Sequence, residues 1–202
     1  MHENYNNLIK KEEIKFSNNI EKWHKRHECW SEVQNLIQKE FKKFEKLINS
    51  STIQKINKLY SLKTDLTVQL SFGQLPVGKT LNSKKEIEME KGSAIVYSKG
   101  IDGKICCLIY NCYSNQMTPC KKWFIYKIYS DPSKISEKEI YKALEVFLMC
   151  TRNSSCTQEI SFFEKIKYWY HSSFYDWFLN IFSSKTCTAI AEKIFEILSI
   201  KK

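Results

Sequence analysis

Leu62-Lys63-Thr64-Asp65-Leu66-Thr67-Val68-Gln69-Leu70-Ser71-Phe72 runs directly into Gly73-Gln74-Leu75-Pro76-Val77-Gly78-Lys79-Thr80, and the reading of this join decides the fold. The first half alternates: Leu62, Thr64, Leu66, Val68, Leu70 and Phe72 share one parity, Lys63, Asp65, Thr67, Gln69 and Ser71 the other. That period of two predicts one half-buried strand with a wet face. The second half matches G-x-x-x-x-G-K-[ST] at Gly73, Gly78, Lys79 and Thr80. A phosphate-binding loop of this kind follows a central parallel strand, which is apolar on both faces, and opens a long helix. The residues after Thr80 are short and charged, with only Leu81, Ile87 and Met89 apolar before Gly92. They lack the apolar stripe with which a helix packs on a sheet. The octapeptide therefore reads as a Gly/Pro-punctuated loop leaving a strand. Nucleotide binding through Gly73, Gly78, Lys79 and Thr80 stands as an alternative. Glu86, Glu88 and Glu90 read as a solvated run.

Composition narrows the function classes. The chain has 202 residues, 32 basic and 22 acidic, for a net charge of +10, and 43% hydrophobic residues. That is enough to bury a core. The positive excess is spread: residues 1–60 carry 12 basic and 8 acidic side chains, 61–157 carry 14 and 9, and 158–202 carry 6 and 5. Only Arg26 and Arg152 are arginines. Arg forks are the usual readers of guanine edges and phosphates, so sequence-specific nucleic-acid recognition is not expected. Weak, nonspecific attraction to anionic surfaces is.

Eight cysteines, at 29, 106, 107, 112, 120, 150, 156 and 187, form no C-x-x-C pair. Zinc-finger spacing is absent, and with no secretory signal at the polar start, free thiols in a reducing cytosol are expected. His24, His27 and Cys29 are the nearest approach to a metal set, short of the usual four ligands. No nucleophile or dinucleotide motif occurs. Pairing of Cys106, Cys107 or Cys112 with distant His171 is weaker than the expectation of inert strand thiols. Neither a cofactor nor a metal is called for. The C-terminal apolar stretches, broken by Lys165, Lys167, Asp176, Lys185, Glu192 and Lys193, are too short to span a membrane.

Phe16, Ile20, Trp23, His27, Trp30, Gln34, Ile37, Phe41, Phe44 and Ile48 recur at alternating steps of four and three. This heptad seam predicts one helix over 8–48, roughly 60 Å long, and self-association through Phe16, Ile20, Trp23, Trp30, Ile37, Phe41, Phe44 and Ile48. A short helix over 53–60 is expected next. In the middle, 93–98 and 104–112 flank Lys99-Gly100-Ile101-Asp102-Gly103 and read as a hairpin. A further strand covers 122–129. Ser136 and Glu139 form a capping box, with Ile135 and Ile140 as its staple. Ile140, Ala143, Leu144, Phe147 and Leu148 supply the buried face of that helix, and Asn153 its end. The C-terminal 45 residues read as two aromatic-rich helices. One carries Trp169, Phe174, Trp177 and Phe178, and the other Ile190, Ile194, Ile197 and Leu198.

The expected architecture is α+β: a small antiparallel four-stranded sheet with one packed helix, flanked by a long N-terminal helix and two C-terminal amphipathic helices. The expected segments are a helical arm over 1–60, an α+β domain over 61–155 and C-terminal helices over 156–202. The leading functional expectation is a non-enzymatic cytosolic interaction or oligomerisation module, with the sheet as a partner surface. One rival is the nucleotide site above. The other is a peripheral membrane or polyanion-binding protein using the lysines with Trp169, Phe174, Trp177 and Phe178.

Overall fold

The structure, a computed structural model, describes residues 2–52, 57–79, 87–114, 121–155 and 161–183. Two helices come first, α1 (His2–Glu28) and α2 (Trp30–Asn49). Seven strands follow: β1 (Leu59–Lys63), β2 (Thr67–Phe72), β3 (Gln74–Lys79), β4 (Ile87–Lys91), β5 (Ala94–Lys99), β6 (Ile105–Tyr110) and β7 (Trp123–Tyr129). A 3-10 turn at Pro132–Lys134 leads to α3 (Glu137–Ser154), and α4 (Phe162–Ser183) completes the order. An antiparallel sheet runs β1-β2-β5-β6-β7; β3 and β4 pair separately. The mixed helix and sheet agree with expectation, but the main sheet has five strands, not four.

The extra strand arises where the alternation over 62–72 is broken. Thr64 N–H donates to the Thr67 carbonyl at 2.9 Å, and Thr67 N–H donates to Thr64 Oγ1 at 3.1 Å. These bonds close a tight turn, so the chain reverses at Asp65–Leu66 and β1 pairs back onto β2. Val68, Leu70 and Phe72 are buried as expected, whereas Leu62 and Leu66 are exposed. Leu59 and Tyr60 belong to β1, not to a helix. Asn57 and Lys58 are not helical either, and 53–56 lie outside the described residues.

Gln74–Lys79 of the octapeptide form a strand rather than a loop. β2 pairs with β5 as Ser71↔Ala94, and β3 pairs with β4 in the same register as Gln74↔Lys91. The four strands thus form one long ribbon, bent where it leaves the sheet. The bend requires Gly92: a Cβ there would lie 2.3 Å from the Gly73 carbonyl oxygen and 2.4 Å from that of Phe72. Such distances exclude any side chain. Glu88 and Glu90, expected to be solvated, are only 3% and 2% exposed, because alternate side chains of β4 turn toward the body. Ile87 and Met89 face out. Glu86 lies outside the described residues.

The expected 8–48 helix is interrupted at Cys29. That residue keeps right-handed helical angles, and the ladder passes through it: Cys29 N–H donates to the Lys25 carbonyl and Val33 N–H to the Cys29 carbonyl, both at 3.1 Å. Beyond the break, Trp30, Val33, Ile37, Phe41 and Ile48 are buried against the strands and α3. The Phe41 and Tyr97 rings lie 5.9 Å apart, the Phe72 and Phe147 rings 5.7 Å. Polar hooks fix α2 over the β1–β2 turn: Trp30 Nε1 donates to the Asp65 carbonyl at 2.8 Å, Gln34 Nε2 to that of Thr64 at 2.5 Å. Core residues therefore run from Trp30 to Cys150, across the boundary expected near residue 60.

α3 starts as its sequence dictates, Ser136 Oγ accepting from Glu139 N–H at 3.4 Å. Ile140, Ala143, Leu144 and Phe147 are buried as expected, Met149 and Cys150 are buried as well, and Leu148 is only partly buried. The helix does not end at Asn153, whose amide donates back to the Met149 carbonyl at 2.8 Å; it continues to Ser154. α4 lies against β7 and α3. Among the described residues no helix is long and apolar enough to cross a membrane. The expected last helix, with Ile190, Ile194, Ile197 and Leu198, lies outside the described residues.

Candidate interaction surface

α2 and α3 cover one face of the sheet, so strand register defines the other. Tyr60, Ser71, Ala94, Tyr110 and Trp123 form one continuous row across all five strands. Leu62, Gln69, Val96, Leu108 and Ile125 form the next. Thr67, Ser98, Cys106 and Ile128 form a third. No side chain in the three rows is charged. Tyr60 and Trp123, at its two edges, are 53% and 52% exposed. Between the Tyr110–Trp123 ridge and Tyr60, the small side chains of Ser71 and Ala94 leave a trough. A sheet face in water ordinarily carries polar and charged residues. The signal was present in the sequence: 67–72, 94–98, 105–110 and 123–126 contain no charged residue at either parity. We read the odd positions of 63–71 as a wet face because Lys63 and Asp65 share that parity.

α1 presents a second apolar strip. Tyr5, Leu8, Ile9, Phe16, Ile20 and Trp23 recur on one side of the helix and are all exposed. Phe16, Asn19, Ile20 and Trp23 line a shallow hollow there. Only the C-terminal end of α1 is anchored. Trp23 Nε1 donates to the Ile101 carbonyl at 3.2 Å, and His27 Nδ1 donates to the Trp23 carbonyl at 2.9 Å. Gly103, at φ +74°, sits so close that a Cβ would lie 2.8 Å from both Arg26 Cβ and His27 Nδ1. The expected self-association seam is therefore divided. Phe16, Ile20 and Trp23 remain exposed, Phe44 is partly buried, and Trp30, Ile37, Phe41 and Ile48 are committed to the chain's own core.

α4 turns polar groups toward the body. Tyr168 Oη accepts from Asn111 Nδ2 at 2.9 Å, the Ser172 carbonyl accepts from Lys121 Nζ at 2.5 Å, and Glu164 Oε1 pairs with Arg152 Nη2 at 2.6 Å. Phe162, Phe163, Ile166, Trp169 and Tyr170 are exposed, with Lys165 and Lys167 among them. One side of α4 is thus open to solvent. Phe174, Trp177 and Phe178 lie on α4, but their side chains are outside the described set. On the outward side of α2, Lys39, Lys42, Lys43 and Lys46 line a hollow with Asn35 and Gln38. Lys43 pairs with Glu40 at 2.6 Å and Lys39 with Glu137 at 3.9 Å.

The described motif residues, Gly73, Gly78 and Lys79, are held by strand and side-chain hydrogen bonding. Gly73 N–H donates to the Lys58 carbonyl at 3.0 Å, and its own carbonyl accepts from Asn57 Nδ2 at 3.0 Å. Gly78 and Lys79 pair with Glu88 and Ile87 of an antiparallel strand. Thr80 lies outside the described residues. No helix N-terminus follows β3 among the described residues to supply aligned N–H groups.

A buried polar cluster joins the ribbon base to the end of α3. Ser93 Oγ donates to Thr151 Oγ1 at 2.5 Å, because the Thr151 proton goes to the Phe147 carbonyl at 2.8 Å. Cys112 N–H donates to Ser154 Oγ at 2.9 Å. Burial pushes the Cys112 thiol up to about 11, and nearby Glu90 acts in the same direction. Burial also pushes Cys106 up to about 11 and raises Cys107 and Cys150. A nucleophilic cysteine needs the opposite shift, so these thiols are structural at neutral pH. Burial lowers the His171 pKa as well, and that ring lies 6.1 Å from Tyr126 rather than at a thiol contact. No group of three metal-ligating side chains occurs among the described residues, and His24 meets Trp23 edge-on at 5.0 Å. A scan against protein-family models and searches of curated proteins and of solved structures found no match.

Proposed function

We propose that the chain is a protein-interaction module that engages its partner through the uncharged outer face of the five-stranded sheet. One observation carries this reading: three rows of outward side chains contain no charge, in a chain with 32 basic and 22 acidic residues. Solvated surfaces of such a chain are rich in Lys and Glu, whereas interface centres are depleted in charge and enriched in Tyr and Trp. Tyr110 and Trp123, adjacent in register, have the amphipathic character of interface anchors. Burial raises the Cys107 and Cys112 thiols, which makes them poor nucleophiles at neutral pH. A photoreactive amino acid at Tyr110, introduced in cells expressing the protein, tests the reading. Irradiation is expected to give a protein adduct there and none with the same probe at exposed Lys138. Equal labelling at the two sites would overturn it.

The outward face of α4 supports a second reading, contact with a membrane surface. Trp and Tyr favour headgroup depth, and lysines flanking an apolar strip suit anionic lipid. Flotation with phosphatidylserine vesicles, lost in Ile166→Glu plus Trp169→Glu, is the expected result on that reading. The nucleotide reading of Gly73, Gly78, Lys79 and Thr80 draws no support from a segment built as an antiparallel strand.

A further inference from the structure

Resting on the surface reading above, we infer that the occupant of the outer sheet face is a second copy of this chain, apposed face to face about a two-fold axis parallel to the strands. Strand order sets the geometry. About that axis β1 of one copy faces β7 of the other, and β5 faces β5. In the aromatic row, Trp123 then meets the second copy's edge tyrosine, and Tyr110 stands over its Ser71, the ridge entering the trough. Ala94 lies opposite Ala94 on the axis, where bulky side chains would hold the sheets apart. The face is thus complementary to itself, as an isologous interface requires. Sheets stacked this way settle near 10 Å apart with their strands about 30° out of line.

Charge favours the same pairing. Two copies, each at +10, repel over most of their surfaces, while this face brings no charged side chain into contact. Five strands at about 4.8 Å spacing and about 20 Å of strand length give a footprint of roughly 480 Å² per copy, hence about 1,000 Å² in all. That area reaches the lower bound of specific interfaces. Because the long-range term is repulsive and the contact apolar, salt should tighten the pair. An interface built on opposite charges would loosen with salt.

Sedimentation equilibrium of the full chain, up to about 100 µM in about 50 mM and about 500 mM NaCl, tests the inference. A species of twice 24.0 kDa is expected, with a lower Kd at the higher salt. Tyr110→Lys and, separately, Ala94→Lys should weaken the dimer by about 100-fold, a substantial interface-centre effect. Circular-dichroism melts show that each variant still folds, and Phe16→Glu should leave the dimer intact. A wild-type monomer at the top concentration would overturn the inference. So would a dimer that survives both lysine variants and is lost in Phe16→Glu, which would assign pairing to α1. A wild-type monomer whose Tyr110 probe still yields adducts with other proteins removes the second copy and leaves the surface reading standing; a monomer with no adducts removes both.

Discussion

α1 and α2 carry the same repeat with opposite outcomes. From Trp30 onward, the four-and-three spacing places Trp30, Ile37 and Phe41 in a core, with Ile37 and Phe41 fully buried. Before Cys29 the same spacing leaves Phe16, Ile20 and Trp23 at 70%, 51% and 42% exposure. The difference is not in the helix but in what lies beneath it. α2 sits over β1 and β2, whereas α1 reaches past the edge of the body at the β5–β6 turn. A period identifies which side of a helix is apolar; strand number and helix placement decide whether that side has something to cover.

The largest test of this contrast is a matched pair of truncations. Phe41→Ala should cost about 3–5 kcal/mol by urea denaturation, as a large side chain lost from a closed core. Phe16→Ala should fall within about 0.5 kcal/mol, as a surface change does. A comparable loss at Phe16 would mean that α1 is covered.

The contact between Gly103 and the end of α1 gives a smaller effect. Gly103→Ala adds a Cβ against Arg26 and His27 at positive φ, so it should cost about 1–3 kcal/mol. Hydrogen exchange should quicken at Trp23–His27 while α2 stays protected; quickening in α2 alone would contradict the assigned anchor.

Acid should act on the body through α3. The Glu139 carboxyl is held below its ordinary value chiefly by the hydrogen bond from Lys127, and Lys142 adds to the effect. A depressed carboxyl contributes stability that is present above its unfolded pKa and lost as pH falls through the folded value. Stability of the β7–α3 packing should therefore decline below about pH 4.3. Glu139→Gln should flatten that decline; an unchanged acid limb would assign it elsewhere.

The smallest effect is expected at Lys79. Lys79→Ala should stay within about 0.5 kcal/mol, and magnesium-ATP should not raise the melting temperature of either form. A rise lost in the variant would restore the nucleotide reading.

Much of the fold was legible where signals were local. The parity of Val68, Leu70 and Phe72, the Gly/Asp turn at 100–103 and the Ser136 cap each depend on neighbours within a few residues, and each is formed as read. What was not legible depended on longer range. Thr64 and Asp65 continued the alternation numerically, so only their turn bonds reveal that β1 has reversed. Gly78 and Lys79 imitate a phosphate loop in spacing, but the partner strand at 87–91 decides their geometry. The candidate surface was half visible. The sheet was expected to present a partner face, and the lack of charge in 67–72, 94–98, 105–110 and 123–126 is visible in the sequence, but that these stretches lie side by side emerges only when five strands are laid in register.

The bent ribbon bears on how quickly the chain can fold. β2 and β5 are neighbours in the sheet although β3 and β4 lie between them in sequence. Because Gln74↔Lys91 continues the register of Ser71↔Ala94, the pairing can zip inward from Lys79↔Ile87, a pair that encloses only residues 80–86. The entropy of loop closure is then incurred once, for that short segment, rather than for the whole insertion. Every other pairing of the main sheet joins successive strands, so contacts that look distant along the chain are reached through local steps, the condition for rapid folding of an antiparallel sheet.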